Sequence, residues 1–183
     1  MIRPGNTTEQ AVLGGGCFWC LEAAYQQVEG IEFVVSGYAG GDVVNPTYDQ
    51  IERQNTGHAQ VVQLTFDPEV IRYKEILDIF WVIHDPTTKN RQNYDVGPQY
   101  RSIILYMSDA QKTAAEASRD EIAKKWDKPI TTEIKPLEHF YEAEAYHQNY
   151  FRTHPEQAYC QIIINPKLAK LREKFASRLK SGS

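Results

Sequence analysis

Hydrophobic and polar residues follow two different periods along the first half of the chain. Alternation of apolar and polar residues, or a short apolar run between turn residues, predicts a strand, and recurrence every three to four residues predicts a helix. The strand pattern occurs in four segments, at residues 10–14, 31–39, 59–67 and 101–107. The helical pattern occurs in two, at residues 17–28 and 73–84. The order is therefore β-α-β-β-α-β, which predicts an α+β fold with a ferredoxin-like split β-α-β core.

Two long polar segments interrupt this order, at residues 40–58 and 85–100. The first is rich in Gly, Asn, Pro and Thr and has room for one helical turn near residues 48–52. Connections of this length are uncommon in a compact domain unless they carry function or are disordered. We therefore predict two long functional loops.

The rest of the chain is predicted to extend this core without forming a second domain. The pattern favours a helix from 109 to about 126 and a strand near 130–135. After a segment of loop and short helix, a basic amphipathic helix is predicted at residues 166–180. We expect a single domain over residues 1–183, with a core at about 11–164 and a C-terminal extension.

Composition and charge add constraints on partners and location. Of the 183 residues 42% are hydrophobic and 24% are charged, and the net charge is −4, as in many soluble globular proteins. A mildly acidic chain without an early basic run does not favour nucleic acid as a partner. The opening “MIRPGNTTEQ” lacks the apolar core of a signal peptide, and no apolar run approaches the ~20 residues of a membrane helix. We therefore expect a cytoplasmic protein without membrane attachment, monomeric by default.

The most informative short segment is “GGGCFWC”, which follows the first predicted strand. Cys17 should lie in the first turn of a helix, where unpaired backbone N–H groups and the helix dipole favour an anion. This position predicts a thiol pKa below its ordinary value and a thiolate nucleophile at neutral pH. The alternative is a buried thiol at a tight corner between strand and helix. Cys20, one helical turn further on, is either a small core residue or a redox partner.

The residues between the two cysteines narrow the chemistry. Phe18 and Trp19 bring two large rings beside the candidate nucleophile, where they would form an apolar cage suited to a methyl group on a soft atom such as sulfur. A zinc site would need two further ligands at suitable spacing, but the only other cysteine, Cys160, stands alone. We therefore expect no metal ion and no cofactor.

The chain as a whole resembles a known family. Its short motifs occur in the order found in type A methionine sulfoxide reductases: “GCFW”, “GYAGG”, “NPTY”, “TGHA”, “HDP”, “YDVGPQYRS”, “AYHQNY” and “AYC”. The resemblance covers about residues 11–160, and many motifs in one order are far more specific than any single one. The family is similar in its expected fold, a ferredoxin-like α+β core with long excursions.

The resemblance implies an enzyme that reduces methionine S-sulfoxide, free or in proteins, and so repairs oxidative damage. Cys17 would attack the sulfoxide sulfur, and the oxygen would then need hydrogen-bond donors. The other residues implied are Phe18 and Trp19 as the methyl cage, Tyr48 and Tyr100 as the donors, and Asp95 as a supporting carboxylate. The sulfenic acid formed on the nucleophile would react with a second cysteine, and thioredoxin would reduce the resulting disulfide.

Position 60 departs from the family pattern. The family usually has Glu after “TGHA”, as proton donor to the sulfoxide oxygen, whereas this chain has Gln60, whose amide has no dissociable proton near neutral pH. The proton would then come from Tyr48, Tyr100, water or the Cys17 thiol. Alternatively, the chain is a low-turnover variant or a module that binds methionine sulfoxide.

The second cysteine also has two candidates. Cys160 matches the position where many family members carry the resolving thiol, and Cys20 is closer to the nucleophile on the same helix. Cys160 is the preferred candidate, with a relay through Cys20 left open. A general thiol–disulfide oxidoreductase is the remaining alternative function.

Overall fold

The structure is a computed structural model that describes residues 7–181. Within this range a six-stranded sheet, in the order β7-β6-β1-β3-β2-β8, forms the centre, and β4 pairs with β5 in a separate ladder. Neighbouring strands are antiparallel except for β6 and β7, which are parallel. The strands are β1 (Glu9–Gly14), β2 (Ile31–Ala39), β3 (Ala59–Phe66), β4 (Arg91–Gln92), β5 (Asp95–Val96), β6 (Ile103–Tyr106), β7 (Glu133–Pro136) and β8 (Phe140–Glu142).

Helices connect these strands and cover one face of the sheet. The α-helices are α1 (Phe18–Tyr25), α2 (Tyr48–Arg53), α3 (Tyr73–Ile83), α4 (Asp109–Ala123), α5 (Tyr150–Thr153) and α6 (Asn165–Phe175). Three short 3₁₀ turns lie at Pro98–Tyr100, Ala145–His147 and Ala176–Arg178, and a π-helical turn at Cys160–Ile164 leads directly into α6.

The predicted α+β class is confirmed. The four strands expected in the first half correspond to β1, β2, β3 and β6, and the two expected helices correspond to α1 and α3. Helix α1 ends at Tyr25 rather than at residue 28. It stops early because the chain turns at residues 26–30, ending at Gly30 with φ of +93°, a conformation that favours glycine.

The boundaries expected in the second half are less accurate. Helix α4 ends at Ala123, short of residue 126, and β7 begins at Glu133 rather than near 130. Thr131, two residues before β7, makes its hydrogen bonds outside the sheet. Both its backbone N–H and its hydroxyl donate to the carbonyl of Pro86. That contact fixes the chain on the loop after α3 before it enters the sheet.

Strand β8 was not expected from the sequence. It pairs with the edge of β2, where Gly37 leaves room for the Phe140 ring, because a Cβ at Gly37 would overlap that ring. The predicted C-terminal helix at 166–180 also ends early, at Phe175, and Leu179 then forms an isolated bridge with Val28. Both differences arise from pairing between segments that are distant in sequence.

The two faces of the central sheet are both apolar but differ in extent. Alternate residues of β3 point to opposite sides, so that Val62 and Leu64 join the large core beneath α1, α3 and α6, whereas Val61 joins a smaller cluster on the other face. The same alternation in β1 directs Leu13 to the large core and Val12 to the smaller one. The sheet end where β1 meets α1 therefore lies next to the main core.

None of the helices within residues 7–181 combines the length and the apolar character that crossing a membrane would require. The expectation of no signal peptide rests on residues 1–10, and residues 1–6 of these lie outside the described residues.

The first long loop folds back against the start of β3. Thr47 caps α2 with its hydroxyl, which accepts from the backbone N–H of Gln50 at 3.2 Å, and the Gln50 side chain returns a bond to the Thr47 N–H at 2.9 Å. This capping box fixes the first turn of α2. Gly41 lies against the backbone of Thr56 and His58, and a Cβ there would overlap both.

We expect Gly41→Ala to destabilise the protein by about 1–3 kcal/mol, because the added methyl overlaps the backbone of Thr56 and His58 and must displace it. Equilibrium denaturation by urea measures this change. Val44→Ala, on the same loop and 70% exposed, is the matched control and should alter stability by no more than ~0.5 kcal/mol. Equal stability of the two variants would contradict the packing described for this loop.

Candidate active site

Cys17 is the N-cap residue of α1 and lies at the end of the glycine turn. Gly16 has φ of +96°, and a Cβ there would be 2.8 Å from the Gln92 side chain. A Cβ at Gly15 would be 3.0 Å from the ring of His84. Glycine is therefore required for the chain to turn from β1 into α1 over these side chains, and the turn holds the thiol only 7% exposed.

Burial dominates the acidity of this thiol. Desolvation and the neighbouring Cys20 raise the pKa of Cys17 well above its ordinary value, against hydrogen bonds from the Trp19 backbone and the Tyr159 hydroxyl that act to lower it. The prediction of a lowered pKa at the helix terminus is therefore wrong for the substrate-free protein. The favourable N–H groups are present, but loss of hydration outweighs them.

The ring of His84 packs against the glycine turn at Gly15. Its Nδ1–H donates to the carbonyl of Phe80, and its Nε2 accepts from the Ser102 hydroxyl at 2.8 Å. Burial lowers the pKa of His84 to about 3, so the ring is neutral and serves as a packed, hydrogen-bonded support.

Aromatic rings form one wall beside Cys17. The Trp19 indole stacks on Tyr150 with ring centroids 3.7 Å apart, and its Nε1–H donates to His147 Nδ1 at 3.2 Å. The imidazole of His147 in turn contacts Phe18 and Tyr48, with centroids 5.1 Å and 4.4 Å away. Phe18 is fully buried and Trp19 only partly. The exposed part of the wall is therefore the indole, oriented by its two neighbours.

His147 is neutral in this arrangement. Its Nδ1 accepts a hydrogen bond, and burial lowers its pKa. The remaining proton is therefore on Nε2, a buried atom that has no hydrogen-bond partner within residues 7–181. Its bond to the indole makes His147 a structural residue that orients the Trp19 ring.

Tyr100, Glu52 and Gln60 form a hydrogen-bonded group of polar side chains that reaches the first turn of α1. The Tyr100 hydroxyl donates to Glu52, with oxygen–oxygen distances of 3.0 and 3.2 Å. Gln60 Nε2 donates to the same carboxylate at 3.2 Å, and Gln60 Oε1 accepts from the backbone N–H of Phe18 at 3.2 Å. Gln60 thus connects the carboxylate of α2 to the first N–H of α1.

Both tyrosines of the expected site remain protonated donors. Burial, followed by the charge of Glu52, raises the pKa of Tyr48 and of Tyr100 above the ordinary phenol value. The charge of Asp95 adds to the shift of each, and that of Cys17 adds to the shift of Tyr48. These two phenols, two acids and a thiol therefore lie within electrostatic range of one another.

Asp95 makes its direct contact with a residue that the sequence did not single out as essential. The Tyr159 hydroxyl donates to Asp95 Oδ2 at 2.8 Å and lies 3.5 Å from Cys20 Sγ. Because the same hydroxyl also bonds the thiol of Cys17, Tyr159 links the carboxylate to both cysteines of α1.

All three cysteines are free thiols, and all are buried. Cys160 was expected near a flexible tail, but it begins the π-helical turn before α6 and is 0% exposed. Burial, followed by the charge of Cys20, raises the pKa of Cys160. Cys20 also raises the pKa of Cys17. Cys20 therefore lies close enough to each of the other two thiols to affect its ionisation.

Among residues 7–181 no group of three or more His, Cys, Asp or Glu side chains has an arrangement that could hold a metal ion. The structure brings together the other expected site residues around the N-terminus of α1, with Cys160 in the same core and within electrostatic range of Cys20. It adds Glu52, His147 and Tyr159. Glu52 had one signal in the sequence: it follows Tyr48 by four residues within a helical turn, so the two share a helix face.

Comparison with known proteins identifies what this arrangement is similar to. A family model described as peptide methionine sulfoxide reductase matches residues 9–179. Peptide methionine sulfoxide reductase MsrA from Leptospira borgpetersenii is 58% identical over 175 residues, covering 96% of this chain and 99% of the relative.

Solved structures agree. The crystal structure of Mxr1 from Saccharomyces cerevisiae in reduced form matches with a TM-score of 0.81 and 34% identity, over 87% of this chain and 92% of that one. Mxr1 in complex with Trx2 matches with a TM-score of 0.58 and 30% identity, over 82% and 88%.

Proposed function

The chain belongs to the peptide methionine sulfoxide reductase family, and we propose a mechanism for it that begins at the Cys17 thiol. The enzyme reduces methionine sulfoxide to methionine, and thioredoxin regenerates it. The observation that carries the mechanism is a thiol at the N-cap of α1, directly before Phe18 and Trp19, that lies within electrostatic range of the protonated phenol of Tyr48. Such a site matches a sulfoxide, which has an apolar methyl on one side and a polar oxygen on the other.

Substrate orientation follows from these two sides. The methyl group packs against Trp19, and the sulfoxide oxygen accepts a hydrogen bond from Tyr48. Tyr100 becomes a second donor when its hydroxyl turns from Glu52 to the oxygen. Fixing the methyl and the oxygen on different groups lets a site distinguish the two configurations at sulfur. We assign the S epimer to this site on the family resemblance.

The first chemical step transfers oxygen to the enzyme. Cys17 sulfur gives an electron pair to the sulfoxide sulfur and forms an S–S bond, while the protonated oxygen leaves as the S–O bond breaks. That oxygen then bonds to the Cys17 sulfur, and the S–S bond breaks with its electron pair going to the substrate sulfur. The products are methionine and a sulfenic acid on Cys17. The thiol hydrogen and the substrate oxygen both end in that sulfenic acid, so the step balances without a cofactor. Donors aimed at the oxygen stabilise the charge that develops there.

Two further steps return the enzyme to its thiol form. Cys20 attacks the Cys17 sulfenic acid, releasing water and forming a disulfide. Cys160 then attacks the Cys20 sulfur, releasing the Cys17 thiol and moving the disulfide to the second pair. The position of Cys20, with its effect on the pKa of both other thiols, supports this relay. The dithiol of thioredoxin reduces the disulfide and is itself oxidised.

The finer features of the fold and location are also proposals. We assign the chain to a single domain with a ferredoxin-like split β-α-β core, which the order β6-β1-β3-β2 supports. Packing of α6 against the same core as α1 supports including the C-terminal extension in that domain. A monomeric state and a cytoplasmic location stay predictions from the sequence.

We expect the wild-type protein to convert dabsyl-methionine S-sulfoxide to dabsyl-methionine with thioredoxin and its reductase, measured by chromatography. Cys17→Ser should lower kcat by at least about a thousandfold, because the nucleophile is lost. The R-sulfoxide is the matched control substrate and should not be reduced. Tight binding of the S-sulfoxide without product would instead identify a binding module.

We expect the wild-type protein to form a Cys20–Cys160 disulfide after one equivalent of methionine S-sulfoxide without reductant, as read by mass spectrometry of proteolytic fragments. Cys160→Ser should stop at a Cys17–Cys20 disulfide. Cys20→Ser should leave a sulfenic acid that dimedone traps on Cys17. A direct Cys17–Cys160 disulfide, formed as fast in Cys20→Ser as in the wild-type protein, would contradict the relay.

A further inference from the structure

We propose that Glu52 is the proton donor to the sulfoxide oxygen, an inference that rests on the proposed function. The need for a donor follows from the other groups at the site. Gln60 has no proton to release. The phenols of Tyr48 and Tyr100 donate hydrogen bonds but hold their protons, because burial and nearby charge oppose the phenolate form. A carboxyl group is the remaining acid that can be protonated and deprotonated in one catalytic cycle.

Glu52 lies where such a group is needed. It shares a face of α2 with Tyr48, four residues earlier, and its carboxylate accepts the hydroxyl hydrogen bond of Tyr100. Through Gln60 it is connected to the backbone N–H of Phe18, the residue next to the nucleophile. Its charge acts on both phenols that face the oxygen. Glu52 therefore lies beside the oxygen position rather than beside the methyl wall.

Neighbouring carboxylates have other partners. Asp95 accepts the hydroxyl of Tyr159, on the side of the cysteines. Glu144 accepts the backbone N–H of Tyr48 and the hydroxyl of Tyr38, both at 2.9 Å. Burial opposes ionisation of Glu144, but these hydrogen bonds prevail and lower its pKa, so it stays ionised. Of these acids in the described part of the chain, only Glu52 contacts a phenol that faces the oxygen.

A single proton, shared between Cys17 and Glu52, balances the step. At rest Cys17 is a neutral thiol and Glu52 a carboxylate. In the reactive form the proton has moved, through water, to Glu52. As the Cys17 thiolate forms a bond to the substrate sulfur, Glu52 gives that proton to the oxygen, and the S–O bond breaks with hydroxide leaving. The hydroxide oxygen then bonds to the Cys17 sulfur, and the bond between the two sulfurs breaks with its electron pair going to methionine. The products are methionine, the sulfenic acid and the Glu52 carboxylate.

Gln60 completes this arrangement as a positioning residue. Its amide donates to Glu52 and accepts from Phe18, so both ends of the side chain are used. A glutamate at position 60 beside Glu52 would bring two carboxylates together, which disfavours ionisation of one of them. The site therefore needs one acid and one amide at positions 52 and 60. We expect the two groups to be exchangeable between these positions.

The test is single-turnover reduction of methionine S-sulfoxide, without a reductant, followed by chromatography. Glu52→Gln should lower the rate by ~10²–10⁴-fold, the usual range for loss of general acid catalysis. Gln60→Glu alone should not accelerate the step. The double variant Glu52→Gln/Gln60→Glu, which exchanges the two groups, should recover at least about tenfold of the lost rate.

The pH profile separates proton donation from positioning. In the wild-type protein the rate should fall as the pH rises through the pKa of Cys17, because the shared proton is then lost. In Glu52→Gln the residual rate should rise over the same range, because the thiolate alone is needed and water supplies the proton. Glu52→Asp, which keeps the acid at shorter reach, should retain the falling limb at a reduced rate.

Asp49→Asn is the matched control, since Asp49 is an exposed carboxylate on the same helix, paired with Arg53 at 2.8 Å. It should leave the rate within about twofold, as expected for an exposed ion pair. A Glu52→Gln rate equal to wild type, or a lowered rate with an unchanged falling limb, would overturn the proposal. Absence of methionine with the wild-type protein would instead contradict the proposed function.

Discussion

The sulfur of Cys17 is subject to two opposing influences. The first turn of α1 offers N–H groups that favour a thiolate, while enclosure by the glycine turn, the Trp19 wall and Tyr159 removes the water that a thiolate needs. Enclosure prevails in the substrate-free protein, and the thiol keeps its proton. In the mechanism that we propose, that proton accompanies the oxygen when the sulfoxide is reduced.

A neutral resting thiol has a chemical advantage. Oxidants and disulfides react with the thiolate, so a protonated, buried Cys17 is protected from both until a sulfoxide enters. In our proposal the polar oxygen of that substrate then meets Tyr100 and Glu52, which are joined by a hydrogen bond. Specificity and activation therefore come from the same event, the filling of a site with one apolar and one polar wall.

Local patterns were sufficient for much of the fold. Strands such as β3 and helices such as α3 have clear periods, and the turn at Gly16 followed by Cys17 predicted a thiol at a helix terminus. Strands β4, β5 and β8 were missed because they have only two or three residues each. Strands β4 and β5 pair only with each other across a tight turn, and β8 exists through pairing with the distant strand β2. Such strands leave no periodic signal of their own.

The chemistry of the site was predictable in its residues but not in its energetics. The resemblance supplied the phenols and the nucleophile, yet the sign of the Cys17 pKa shift depends on burial, which no local pattern reports. Glu52 meets Tyr100, which is 48 residues away in sequence, and only the fold brings them together. From the sequence, Gln60 predicted a proton from another group, a low-turnover variant or a binding module, whereas in the structure its amide donates to the Glu52 carboxylate.

The most direct measurement is the ionisation of Cys17 in the substrate-free protein, followed as the difference in thiolate ultraviolet absorbance between the wild-type protein and Cys17→Ser across a pH titration. The account predicts that the difference appears only above the ordinary pKa of a cysteine thiol. A full thiolate signal at or below neutral pH would contradict it.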